Sequence, residues 1–143
     1  MAENYETVLH RWFDEVWNQK RTDTIDELMS EDTIHHGLAG PDGVEVTGLA
    51  AFKDFHSKFL AAFPDLHIEV GDVISDGDKM AVRCTVTGTH SGEGLGFAPT
   101  NQRVEFTGSG ICTYRDGKFV EVWNEFDFMK MHTQMNTVSL NFQ

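Results

Sequence analysis

The sequence predicts an α+β fold: a cone-shaped α+β barrel in which a curved antiparallel sheet is closed by three N-terminal helices around an apolar cavity. Three observations carry this. Apolar residues recur at helical spacing through the first half of the chain, they alternate through the second half, and tight turns rather than helical crossovers join the strand-like runs.

Tyr5, Val8, Leu9, Trp12, Phe13, Val16 and Trp17 fall three and four apart, which predicts an amphipathic first helix. Thr22 or Asp23 can cap a short second helix burying Ile25, Leu28 and Met29. Leu49, Phe52, Phe55, Phe59, Leu60 and Phe63 define a third, which Pro64 stops because its nitrogen carries no hydrogen to donate. The period then changes to two. Leu66, Ile68 and Val70 alternate with polar neighbours, as do Met80, Val82, Cys84 and Val86. Ser75-Asp76-Gly77-Asp78 and Arg115-Asp116-Gly117-Lys118 are turn signals between strands, so consecutive strands are expected to pair antiparallel.

With 143 residues, 40% of them apolar, the chain fits one domain over residues 1–143, burying roughly 68–70% of its unfolded surface. Eleven Lys and Arg against 23 Asp and Glu give a net charge of −12. Phosphate backbones and anionic lipid repel such a chain, so neither nucleic acid nor a membrane surface is an expected partner. No apolar run approaches the ~20 residues of a membrane span, and Met1 to Tyr5 lacks the basic and apolar regions of a leader. A cytoplasmic location is expected. Cys84 and Cys112 sit in apolar strand-like runs without Cys-x-x-Cys spacing and are expected as buried free thiols.

Asp127 closes an aromatic strand, Phe119 to Asp127, where alternation puts it on one face with Trp123 and Glu125. A carboxyl group there either caps the following helix or lies in a pocket. Aromatic surroundings would raise its pKa there into the range useful for enolisation, with Glu125 coupled to it. His35 and His36 are adjacent on an extended stretch, so at most one enters the cavity, as a hydrogen-bonding side chain. No further His or Cys recurs at a metal-ligand spacing, and no metal is expected. His56 and His67 read as peripheral. The glycine-rich run from Thr87 to Phe97 leads into a strand, not a helix, and so reads as a rim loop instead of a phosphate cradle. Arg83 is unusual in mid-strand and is expected to pair with an acid on the second sheet face or to lie at a subunit interface.

His36-Gly37, Ala62-Phe63-Pro64-Asp65-Leu66, Gly88-Thr89-His90, Pro99-Thr100, and Gly117-Lys118 with Glu121, Trp123 and Asp127 together resemble the SnoaL-like polyketide cyclase family. This is a branch of the nuclear-transport-factor-two-like superfamily, and the likeness runs from the first helix to about Met135. It implies a cone with a deep apolar cavity, a homo-oligomer (dimer or tetramer), and cofactor-free aldol ring closure with the acid at Asp127 as general acid/base. It also favours the pocket placement of Asp127. The family's polar side chain on the preceding strand is replaced here by Ile111, Cys112 and Thr113. Asn101 stands where a glycine commonly follows Pro-Thr, a swap that a left-handed turn tolerates.

The expected function is a cofactor-independent cyclase or isomerase acting on a hydrophobic carbonyl substrate. Asp127, His36 and His90 are its candidate catalytic groups, and Trp123, Phe59, Phe63, Glu125, Thr113 and His35 its candidate substrate-binding residues. Two alternatives stand beside it. One is a non-catalytic binder of a small hydrophobic ligand; the other is an epoxide hydrolase relaying through Asp127 and Arg83. The extension 136–143, in which Val138, Leu140 and Phe142 alternate, could add an edge strand at a dimer interface.

Overall fold

The computed structural model describes residues 4–39 and 43–137; the alternation of Val138, Leu140 and Phe142 lies outside them. Helix α1, Tyr5–Arg11, starts at Asn4, whose Oδ1 accepts the Thr7 N–H at 3.2 Å. It continues directly into a π-helical segment, Trp12–Asn18. There the Gln19 N–H reaches back five residues to the Asp14 carbonyl at 2.8 Å. The wider turn carries Trp12 and Trp17, five apart, onto the same inward side as Phe13. The Val16 carbonyl accepts from His56 Nε2 at 2.6 Å. His56 is therefore buried, not peripheral as its sequence position suggested, while His67 is exposed.

Helix α2 spans Asp23–Leu28, strand β1 Met29–Ala39, strand β2 Glu45–Thr47 and helix α3 Leu49–Ala62, which ends before Pro64. Strands β3 (His67–Asp76), β4 (Lys79–Thr89), β5 (Arg103–Arg115) and β6 (Lys118–Phe126) follow, and helix α4 covers Phe128–Gln134. The β5–β6 hairpin turns on Asp116 and Gly117, with φ of 51° and 79°, the left-handed pair of a type I′ turn. Asn101 is also left-handed, at φ 58°.

The six strands form one curved sheet in the order β2-β1-β6-β5-β4-β3, left open between the β2 and β3 edges. From β3 to β6 the pairing is sequential and antiparallel, as expected. β1 departs from that expectation. It lies parallel to β6, because the two are distant in sequence and no hairpin dictates their direction. The sheet is therefore mixed rather than wholly antiparallel.

One irregularity positions the site. Thr113 pairs with Glu121 and Tyr114 with Phe119, so Val120 is an extra residue on β6. A one-residue insertion exchanges the faces of everything beyond it. Phe119 packs inward against Trp12, at 5.3 Å between ring centroids; after the bulge Val122, Asn124 and Phe126 face inward. Among the described residues no helix is long and apolar enough to cross a membrane.

Gly37 joins β1 to β6 at close quarters. Its φ is +85°, and a Cβ there would lie 2.0 Å from the Asn124 carbonyl oxygen. Gly77, at φ +62°, has open space around it. Gly37→Ala is therefore expected to cost more than ~3 kcal/mol and Gly77→Ala only about 1, as measured by urea unfolding.

Candidate functional site

The concave sheet face and the helices enclose a cavity of about 80 Å³. Its helical wall is aromatic: Trp12, Phe13 and Trp17 from the first helix, Phe52, Phe55 and Phe59 from α3, and Phe128 from α4. The sheet supplies Val82, Val86, Phe106, Cys112 and the inward row of β6. Gly110 stands opposite Asn124 in the β5–β6 register and leaves space where a side chain would intrude. A wider outer cavity of about 460 Å³ adjoins it, lined by β1, β2, α3, Leu95, Phe97, Met131 and His132. Phe55, Phe59 and Phe128 line both and form their common wall.

Two hydrogen-bonding side chains stand out in the inner cavity. His35 is 2% exposed and stacks on Phe52, with ring centroids 4.6 Å apart. Burial, helped by neighbouring His36, lowers its pKa to about 4, so it is neutral at physiological pH. Its Nε2 lies 3.4 Å from Met29 Sδ, which can only accept, so the proton sits on Nε2. A thioether is a weak acceptor that a carbonyl oxygen can replace. Asn124 donates one Nδ2 hydrogen to the His36 carbonyl at 3.0 Å, which fixes the amide beside His35 and leaves a second N–H for a ligand.

The remaining expected site residues separate into three groups. Phe59 lines both cavities, and Phe63 packs behind it, 5.1 Å away, without reaching the lining. His90 is fully buried, inward from the end of β4. The third group lies outside. Trp123 is 37% exposed and Glu125 is exposed, because the bulge turns both to the outer face. His36 shares that face, stacked on Trp123 at 5.3 Å, with Nε2 2.6 Å from Glu121 and Nδ1 3.3 Å from Glu45. The Glu121 hydrogen bond, reinforced by Glu45, raises its pKa. Thr113 is buried, but its Oγ1 accepts from Lys79 Nζ at 2.9 Å, away from the cavity.

Asp127 is exposed, and its Oδ1 accepts the Lys130 N–H at 3.0 Å as the cap of α4. The dry aromatic pocket expected around it is absent, since it follows Trp123 and Glu125 to the outer side. Arg83 pairs with Asp72 on the exposed surface, so no relay joins it to Asp127. Cys84 and Cys112 are buried free thiols, with burial pushing their pKa values up to about 11 and about 12. Among the described residues no group of three His, Cys, Asp or Glu side chains could hold a metal ion. Asn124, the inward polar residue of β6, went unrecognised in the sequence because strict alternation assigns it to the opposite face.

The fold is an α+β cone holding an aromatic cavity whose lining includes a neutral imidazole and an amide. The model of the SnoaL-like polyketide cyclase family matches residues 7–135, and the chain belongs to that family. A protein from Jannaschia sp. CCS1, provisionally assigned as a SnoaL-like polyketide cyclase, is 26% identical with a TM-score of 0.78, over 93% of this chain and 92% of its own. IdmH from Streptomyces antibioticus, provisionally assigned as a polyketide cyclase, is 28% identical with a TM-score of 0.78, over 94% and 99%. AclR from Streptomyces galilaeus, provisionally assigned as a hydroxylase, is 28% identical with a TM-score of 0.77, over 96% and 88%. No curated protein sequence matches significantly.

Burial holds His35 neutral down to about pH 4, whereas the unfolded chain takes up that proton near the ordinary 6.5. The unfolded state binds more protons between these values, so stability falls as pH drops through the window and levels off below it. The expected loss is about 3 kcal/mol. In His35→Phe this part of the slope disappears, as read by urea unfolding across the window. Asp127→Ala is expected to cost about 1 kcal/mol as a lost cap and Asp127→Asn only a few tenths, in the same assay at neutral pH.

Proposed function

We propose that this chain binds a compact hydrophobic carbonyl compound in the inner cavity and acts on it as a cofactor-independent cyclase or isomerase. One observation carries the proposal: an aromatic cavity whose lining includes two hydrogen-bonding side chains, His35 and Asn124. A neutral imidazole donates to a carbonyl without bringing a charge into an apolar site, and the bond strengthens as negative charge develops on the oxygen during enolisation. In this reading His35 and Asn124 orient and polarise the carbonyl. The proton acceptor in this reading is Asp127, which is exposed outside the inner cavity and joined to its lining only through its chain neighbours Phe126 and Phe128. Aldol-type closure then balances internally: the proton removed from the α-carbon returns to the alkoxide formed at the second carbonyl.

The exposure of Asp127 favours a second reading, passive binding of the same ligand class. Exchange of the methyl protons of acetophenone for deuterium in D2O separates the two. The enzyme reading expects exchange above the buffer rate, lowered about 10²-fold by His35→Leu and about 10²-fold by Asp127→Asn. Saturable acetophenone binding with exchange at the buffer rate establishes the passive reading and removes the acid/base one.

A further inference from the structure

His90 ends the inward row of β4, and its two ring nitrogens are treated differently. Nδ1 accepts from the Thr100 backbone N–H at 3.1 Å and lies 3.0 Å from Thr100 Oγ1. The neutral ring must then carry its proton on Nε2. That Nε2 is fully buried and has no hydrogen-bond partner among the described residues. The ring is held between Phe63 and Phe97, at 5.4 and 5.3 Å between centroids. Phe97 is 37% exposed, lines the outer cavity and stands 6.4 Å from His132 on its far side.

The loop around His90 is too well anchored for this to be a loose end. His90 N–H donates to the Gln102 carbonyl at 2.9 Å, its own carbonyl accepts from Asn101 at 2.7 Å, and Gly92 N–H reaches the Ala62 carbonyl at 3.1 Å. A ring fixed by its Nδ1 edge cannot turn to find Nε2 a partner. Buried donors normally have one, and an orphaned donor is where an incoming acceptor gains most.

We propose that the His90 Nε2–H is a concealed donor for an oxygen acceptor of a ligand in the outer cavity, reached when the Phe97 ring swings aside. It offers a separate polar contact, independent of the His35 and Asn124 pair, for the oxygen of a carbonyl compound seated in the outer cavity. The proposal rests on the reading that these cavities take a carbonyl compound, and it adds a recognition point to that reading.

The test uses the full chain labelled with 15N at histidine, titrated with acetophenone and with ethylbenzene, the same skeleton without the oxygen. Acetophenone is expected to shift the His90 Nε2–H resonance downfield while ethylbenzene leaves it in place. Phe97→Ala is expected to raise acetophenone affinity about tenfold more than ethylbenzene affinity, since it uncovers a donor that only the ketone can use. His90→Gln, which keeps an N–H, should retain most of that preference, and His90→Leu should lose it. Saturation by acetophenone that moves the His35 resonances but leaves the His90 Nε2–H unshifted overturns the His90 donor and leaves the carbonyl reading standing. Movement at neither histidine overturns both. A long-lived water bound to Nε2–H in the free protein, seen as a water cross-peak, also overturns the proposal, because the donor is then already satisfied.

Discussion

The extra residue at Val120 sets the composition of the inner wall. Side chains on a strand alternate, so the bulge converts a row beginning inward at Phe119 into one that continues inward at Val122, Asn124 and Phe126. Without it, Glu121, Trp123 and Glu125 would face the helices and put two carboxylates in the core. With it, those groups stay in water beside His36 and Lys79, whose Nζ lies 5.6 Å from the Trp123 ring centroid. The charge cluster outside and the apolar cavity inside are two results of one insertion.

This also explains where the sequence was readable. The helices, β3, β4 and the two turns carry their periods and turn residues openly. β1 does not. Its inward positions include Thr33, whose hydroxyl donates to the Phe119 carbonyl at 2.7 Å, and His35, and its register shifts twice along its length. Polar inward residues combined with broken alternation erase the pattern that marks a strand. The grouping of Trp123, Glu125 and Asp127 on one face was legible; which face was inward was not, because a bulge leaves no compositional mark. The π-helical widening of Trp12–Asn18 is equally silent, since apolar residues three and four apart fit either helix.

Electrostatics then limits what the cavity can do. A space walled by six or more aromatic rings penalises charge, as the fall of the His35 pKa to about 4 shows. A carboxylate placed there would be protonated or would demand a partner, and among the described residues no cation enters the lining. The hydrogen-bonding side chains His35 and Asn124 in the lining are accordingly neutral.

Size adds the last constraint. About 80 Å³ accommodates a compact ring system at most, whereas the outer cavity is several times larger. Three phenyl rings, Phe55, Phe59 and Phe128, separate them, two on α3 and one on the seven-residue α4. Phe59 is tied into a ring cluster with Phe55, Phe63 and Trp17, and Phe128 packs on Phe59 as well as on Phe126 and Phe106. Phe126 in turn covers Gly108, where a Cβ would lie 2.1 Å from its ring. The three phenyl rings thus form one continuous partition, braced on α3 by the aromatic cluster and on α4 by Phe59 and the buried Phe106.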